Sequence, residues 1–384
     1  METRFYNLKN LLEIKYGKSQ KNIEEPCGKY PILGTGGVIG HTNQFLYDKP
    51  SVLIGRKGTI DKIQYIEQPF WTIDTLFYTI INEKLIIPKF LYYRLLLVDL
   101  TLYNEGTSIP SLTTKTLYKL EIDIPTVNIQ KKILKILNNL DKKIEINKKI
   151  NKNLDKILDL FFKKYYLDNF VNKVPDNWNI TKIKDLPLII TDYVANGSFA
   201  SLKNNVTILD HEDYSYFIRN TDLKNKRFKK YVNKHSYDYL NKSSLYGNEL
   251  LISNVGDVGS VYLCPFLDKP MTLGNNMILV KSKKEAVANL NYYLFLLFRS
   301  KYGQFLLNSI TTGSVQLKFN KTEFRSLKVI IPDDDNIIKF NKQIKPLFEY
   351  KRVISKEIES LSKLRDTLLP KLMSGELDVS GVDI

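Results

Sequence analysis

Cysteine and histidine are scarce in this 384-residue chain: two cysteines, Cys27 and Cys264, and three histidines, His41, His211 and His235. Two cysteines exclude a disulfide framework and a multi-cysteine zinc site. The histidines lie far apart, without the spacing of metal ligands. Long apolar runs are missing too. The most apolar stretch, Leu85 to Tyr103, contains Pro88, Lys89, Arg94 and Asp99, whereas a membrane span needs about 20 mostly apolar residues. The opening METRFYNLKN lacks the apolar core of a signal peptide. Catalytic signatures are also missing: no G-x-S-x-G, no H-E-x-x-H, and no N-P-P-[FY] or D-P-P-Y methylation motif. These absences predict a cytoplasmic protein with no metal, no cofactor and no catalytic residue of its own.

What is abundant is positive charge. Fifty-seven Lys+Arg oppose 41 Asp+Glu, a net charge of +16, with a pI near 9.4. Hydrophobic residues at 43% and charged residues at 26% fit a globular chain. A globular chain this basic predicts a polyanionic partner.

The chain is written twice. Leu53-Ile54-Gly55-Arg56-Lys57-Gly58-Thr59-Ile60 matches Leu251-Ile252-Ser253-Asn254-Val255-Gly256-Asp257-Val258, an offset of 198. Trp71-Thr72-Ile73 matches Met271-Thr272-Leu273, and Tyr92-Tyr93 matches Tyr292-Tyr293, both at 200. Gly106 to Pro125 matches Gly313 to Pro332 at 207, with apolar character kept at Leu112/Phe319, Leu117/Phe324, Leu120/Leu327, Ile122/Val329 and Ile124/Ile331. The same offset aligns Leu140/Leu347, Leu154/Leu361 and Ile157/Leu364. The offset changes in small steps, as loop insertions would change it, so a duplication is expected.

Each half reads as β-rich and then helical. Ser51–Gly55 and Leu250–Ser253 read as buried strands, Ile60–Ile66 and Val258–Cys264 as returning strands, and Trp71–Ile81 and Met271–Val280 as further single strands. A helix follows, opening at Pro88 in the first half and at Asn289 in the second. Beyond Pro125 and Pro332 the apolar period becomes 3.5. Ile133, Leu137, Leu140, Ile144, Leu154, Leu158 and Phe161 form one comb, with Asn147 and Asn151 in its middle. Phe340, Ile344, Leu347, Ile354, Ile358, Leu361, Leu368 and Leu372 form the other, interrupted by Lys351 and Arg365. Such heptads predict two long helices, near 129–168 and 336–372, paired antiparallel as a coiled coil. The polar junction Lys173 to Trp178 separates the halves. The expected fold is α+β: two similar β-rich domains at 1–127 and 173–333, with long helices at 128–172 and 334–384, in pseudo-two-fold symmetry.

Several motifs resemble chemistry and then fail the test of context. Gly34-Thr35-Gly36-Gly37 lacks the remainder of any phosphate loop, so it reads as a turn. Asp333-Asp334-Asp335 precedes a helix, where acids favour the positive dipole end. Glu13-Ile14-Lys15 has nuclease-like spacing without a preceding Asp, and reads as a strand edge. Binding chemistry remains. Arg56 and Lys57 lie in a glycine-bracketed turn, suited to phosphate or a guanine edge. Arg219 and Asn220 are base-reading types, followed at once by the cations Lys226, Arg227, Lys229 and Lys230. Thr107 and Ser108 in the first copy, and Asn254 and Ser314 in the second, occupy the loops of the repeated blocks.

Leu53 to Gly58, Gly106-Thr107-Ser108, Ile124-Pro125 leading to Gln130-Lys131-Lys132-Ile133, Pro175 to Trp178, and the ending Leu364 to Glu376 together resemble the specificity subunit of type I restriction–modification systems. The resemblance covers essentially the whole chain. It implies two target recognition domains, each reading one half of a split double-stranded DNA target. It also implies paired helices that act as a ruler and dock two methyltransferase subunits, and through them restriction/translocase subunits, with all chemistry in those partners. One departure stands out: Gln130 corresponds to Ile337, so the two helix starts, and the contacts made there, need not be equivalent. A stand-alone nuclease or methyltransferase fragment is the competing class.

Overall fold

The computed structural model describes residues 2–168 and 174–382. It divides into two compact units, one formed by residues 1–149 and 355–384, the other by 150–354. Each unit therefore draws on both sequence halves. The expected start of the junction, Lys173, lies outside the described residues.

In unit one, Ser51–Gly55 lies inside an antiparallel sheet whose order is Leu12–Tyr16, Leu76–Ile81, Ser51–Gly55, Gln64–Ile66. All five residues of Ser51–Gly55 are buried. Glu13 and Lys15 fall on the edge strand, as expected of a strand edge. A second sheet joins Gly37–Thr42 to Tyr30–Gly34, and that strand to Trp71–Thr72 in parallel. Thr3–Asn7 pairs antiparallel with Glu121–Pro125.

Unit two repeats this plan. Its corresponding sheet runs Leu188–Asp192, Met277–Ser282, Leu250–Ser253, Val261–Leu263. Met271–Leu273 pairs in parallel with Ser215–Ile218, and Asn179–Lys182 pairs with Lys328–Ile331. All ten apolar side chains matched between Leu112/Phe319 and Ile124/Ile331 are buried.

Two expected strands are corrected. Trp71–Ile81 is split: Trp71–Thr72 belongs to one sheet and Leu76–Ile81 to the other. Met271–Val280 splits the same way, into Met271–Leu273 and Met277–Ser282. Turns intervene, at Asp74-Thr75 and at Gly274 to Asn276, where Asn276 has φ +63°. A polar, partly left-handed turn lets the chain step between sheets while both pieces keep apolar side chains, so one apolar run hid two strands. The returning strands are also shorter than expected, only Gln64–Ile66 and Val261–Leu263.

The helix Pro88–Leu96 opens with proline in its first turn, where the missing N–H costs nothing; its counterpart is Asn291–Arg299. The two long helices are Val127–Phe162 and Asp334–Ser374. The first continues as a wide π-helical turn over Lys163–Leu167. Asp333 caps the second, its Oδ1 accepting from Asn336 N at 2.9 Å.

The helices pair antiparallel within each unit. In unit one, Asp141 meets Arg365 and Asn147 meets Glu357, so one number rises as the other falls. Ile133, Leu137, Leu369, Leu372 and Met373 share that unit's core, and Val379 of the C-terminal segment joins them. Lys132 Nζ donates to Ser380 O at 2.6 Å. In unit two, Asp155 meets Lys351, and Leu158 and Phe162 share a core with Phe340 and Ile344. Asn147 is fully buried, as its place in the comb requires. Among the matched helix pairs, Ile157 and Leu364 instead face outward, 40% and 46% exposed. Gln130 is wholly buried and ties three backbone segments together. Its Oε1 accepts from Ile87 N, and its Nε2 donates to Leu85 O and Pro125 O, all at 2.9 Å. Ile337, at the matching place, is simply a buried apolar side chain.

Candidate nucleic-acid interface

The same backbone staple occurs once per unit. Gly58 N donates to Pro110 O at 2.8 Å, and Leu112 N donates to Arg56 O at 2.9 Å. In the second copy Gly256 N donates to Leu317 O, and Phe319 N to Asn254 O, both at 3.0 Å. Both glycines have positive φ, +85° and +78°, a region that side chains with a Cβ rarely adopt. Each staple joins the glycine turn to the loop that the other repeated block supplies. Two sequence blocks with different offsets thus converge on one platform.

In unit one the platform brings Arg56, Lys57, Thr107 and Ser108 together. Asn104 braces the loop, its Oδ1 accepting from Gly106 N at 2.9 Å and Ser111 N at 2.8 Å. Lys57, Thr107 and Ser108 are exposed, and so is Ile109 beside them. Arg56 is half-buried: its guanidinium sits 5.2 Å from the Tyr16 ring centre, and Nη1 donates to Asp74 O at 2.9 Å. Gly34 to Gly37 turns a hairpin; its carbonyls accept from Gln64 Nε2 at 2.9 Å (Gly34) and Lys62 Nζ at 2.5 Å (Gly36).

In unit two the turn Gly256–Gly259 meets a second basic segment. Asn220 Nδ2 donates to Asp257 at 3.3 Å, and Lys224 pairs with Asp257 at 3.1 Å. Lys224 is the main cause that holds the Asp257 carboxyl below the usual carboxylate range. Tyr262 donates its hydroxyl proton to Asn220 Oδ1 at 2.9 Å. Arg219 behaves differently from the expected guanine reader. Its Nε and Nη2 donate to Asp222 at 2.8 and 2.7 Å, so the flat fork is already occupied. Asp222 Oδ2 also accepts from Arg219 N at 3.0 Å, which caps the start of the short helix Asn220–Asn225. Lys226, Arg227 and Lys229 are exposed, while Lys230 pairs with Asp210. Arg219, Thr221, Asp222, Asn225, Arg227 and Lys229 line an open cleft of about 560 Å³. Asn254 turns inward, its Nδ2 donating to Phe319 O at 2.9 Å. Ser314 stands exposed on a hairpin closed by reciprocal Thr312–Lys318 hydrogen bonds.

Tyr16 and Asp74 carry no local sequence signal, because strand pairing brings them in from a distance. Among the described residues no three His, Cys, Asp or Glu are grouped to hold a metal ion. No helix there is long and apolar enough to cross a membrane.

Two similar α+β units, each with a stapled loop pair, define a duplicated architecture. The family profile described as the type I restriction modification DNA specificity domain matches residues 2–156 and 175–360. The chain belongs to that family. It is 25% identical over 401 aligned positions to the type I restriction enzyme MjaIX specificity subunit of Methanocaldococcus jannaschii, covering 97% of this chain and 85% of that one. It is 22% identical to the HindI specificity subunit of Haemophilus influenzae, covering 77% and 79%. The solved type I S subunit from M. genitalium shares the fold, with a TM-score of 0.60, 16% identity, and 97% and 96% of the two chains covered.

Proposed function

We propose that this chain is the sequence-reading subunit of a type I restriction–modification complex and performs no chemistry itself. It binds double-stranded DNA with a bipartite target. The target recognition domains are 1–127 and 173–333, and the helices at 128–172 and 334–384 set the spacing between half-sites. The observation that carries this reading is the duplicated staple, Gly58 to Pro110 and Gly256 to Leu317. It presents two versions of one loop platform, and each good bidentate base contact discriminates by about 1–3 kcal/mol. A single platform reads only a few base pairs, so two of them multiply selectivity.

The helices dock methyltransferase subunits, two in number, and restriction/translocase subunits join through the complex. Exposed apolar side chains on the helices support such docking: Ile146, Ile157 and Leu160 on the first, Tyr350, Val353 and Leu364 on the second. Helices of 36 and 41 residues span about 54 and 60 Å at 1.5 Å per residue, long enough for a ruler.

The test is a domain exchange. Replacing residues 1–127 with the corresponding domain of a related chain changes one half of the methylated sequence, read by methylation mapping, and leaves the other half and the spacer intact. A change in both halves overturns the reading. So does modification of DNA by the purified chain alone with S-adenosylmethionine or Mg²⁺.

A further inference from the structure

The two platforms share a backbone and differ in what they present. Arg56 N donates to Thr75 O at 2.9 Å, and Asn254 N, at the matching place, donates to Asn276 O at 3.2 Å. From that common anchor the side chains part. Asn254 folds back onto Phe319 O of its own platform, so it offers its donor group inward. Arg56 is held differently. Its Nη1 is tethered to Asp74 O, one residue from the carbonyl that holds its backbone, and its guanidinium lies over the Tyr16 ring, 5.2 Å from the ring centre. Tyr16 is itself fixed. It ends the strand Leu12–Tyr16 in register with Phe77, and its ring meets the fully buried Phe77 ring edge-on at 5.1 Å. Half of Tyr16 remains exposed, at 52%.

A guanidinium tethered at one nitrogen and held over a ring by cation–π attraction has fewer directions for its other donors. Arginine loses little further entropy on binding from such a state. Its remaining edge, on the turn that carries exposed Lys57, suits a base edge that offers two adjacent acceptors. In the DNA major groove that edge is O6 and N7 of guanine. A phosphate contact would not need this orientation, and Lys57 already supplies a mobile cation for it.

We infer that Arg56 is a specificity-determining residue that reads a guanine in the first half-site, with Tyr16 as its positioning residue, and that the second platform has no counterpart because Asn254 is turned inward. This rests on the reading of the chain as a DNA specificity subunit.

The experiment uses the full chain and a pool of randomised DNA duplexes. The first half-site is the one that changes when residues 1–127 are exchanged. In it, one guanine is replaced by 7-deazaguanine, which lacks the N7 acceptor. The wild type loses affinity several-fold, a part of the roughly 5- to 150-fold discrimination of a full bidentate contact, because O6 remains. Arg56→Ala removes every donor of the fork; it binds guanine and 7-deazaguanine alike. Tyr16→Leu weakens the preference for guanine while leaving the salt dependence unchanged, and Tyr16→Phe restores the preference. The inference is overturned if the first half-site contains no guanine, if Arg56→Ala selects the same guanine as the wild type, or if Arg56→Ala lowers affinity equally for every sequence. If the wild type enriches no split sequence at all, the specificity-subunit reading fails, and the inference with it.

Discussion

Asp141 and Arg365 face each other at 3.1 Å across the helix pair of unit one. Tyr93 donates its hydroxyl proton to the same carboxylate, and Lys89 stands 3.8 Å away. Burial, and then this bond, pushes the Tyr93 phenol far above its usual range. The repeat offset of 207 maps Asp141 to Phe348 and Arg365 to Leu158. Both are apolar members of the unit-two core, and Phe348 stacks on Tyr292 at 4.5 Å. Conversely, the unit-two ion pair Asp155–Lys351 maps to Ser362 and Ile144. The duplication has kept the seam and moved its polar contact to a different level in each unit.

Asp141 and Arg365 are therefore expected to be coupled. A double-mutant cycle with Asp141→Ala and Arg365→Ala, read by denaturant unfolding, gives a coupling energy of about 0.5–3 kcal/mol. Additive effects would show that the pair contributes nothing of its own.

Asn147 is buried with its Nδ2 bound to Glu357 at 2.9 Å and its Oδ1 unpartnered. A polar side chain in a heptad seam fixes register at a cost in stability. Asn147→Leu should raise the thermal midpoint, since an unsatisfied buried acceptor costs about 1–3 kcal/mol. A lowered midpoint would mean that the Glu357 bond outweighs the lone acceptor.

Asp155 contributes to the pH dependence of unit two. Burial alone would raise its pKa, but Lys351 and Arg299 outweigh burial and hold the carboxyl below its usual range. A depressed folded-state pKa gives stability that is present above the unfolded value of about 3.9 and lost as pH falls through the folded value. The stability gap between wild type and Asp155→Asn should thus be widest near neutrality and shrink below about pH 4. Urea unfolding at a series of pH values measures it; a gap that widens in acid would contradict the assignment.

DNA affinity should fall steeply with salt, and Lys226, Arg227 and Lys229 should account for part of the slope. Each lost phosphate contact reduces the slope of log K against log salt by about 0.9. Arg227→Ala is expected to flatten it more than Lys230→Ala, because Asp210 already occupies Lys230. Equal slopes for both variants and the wild type would place the DNA backbone elsewhere.

The heptad combs and repeated blocks were legible because burial imposes periodicity on the residues themselves: Ile133, Leu137, Phe340 and Ile344 all read as core and are. Lys351 and Arg365 looked like interruptions, and only the facing helix reveals Asp155 and Asp141 as their reasons. At the interface, exposure of Lys57, Thr107 and Ser108 followed from glycine and polar spacing. The orientation of Arg56 did not, because Tyr16 and Asp74 reach it through strand pairing. Arg219 pairs through its side chain with Asp222, three residues on, which residue type alone does not reveal.

The C-terminal segment gives unit one a distinctive order of assembly. Unit two is one unbroken stretch, 150–354, whereas unit one needs residues 355–384 to close. Leu369, Leu372, Met373 and Val379 sit in the same core as Leu8 and Ile54. A ribosome emitting roughly 5–20 residues per second delivers every contact of unit two before it delivers the last side chains that unit one buries. The unit whose synthesis begins first is the one completed last.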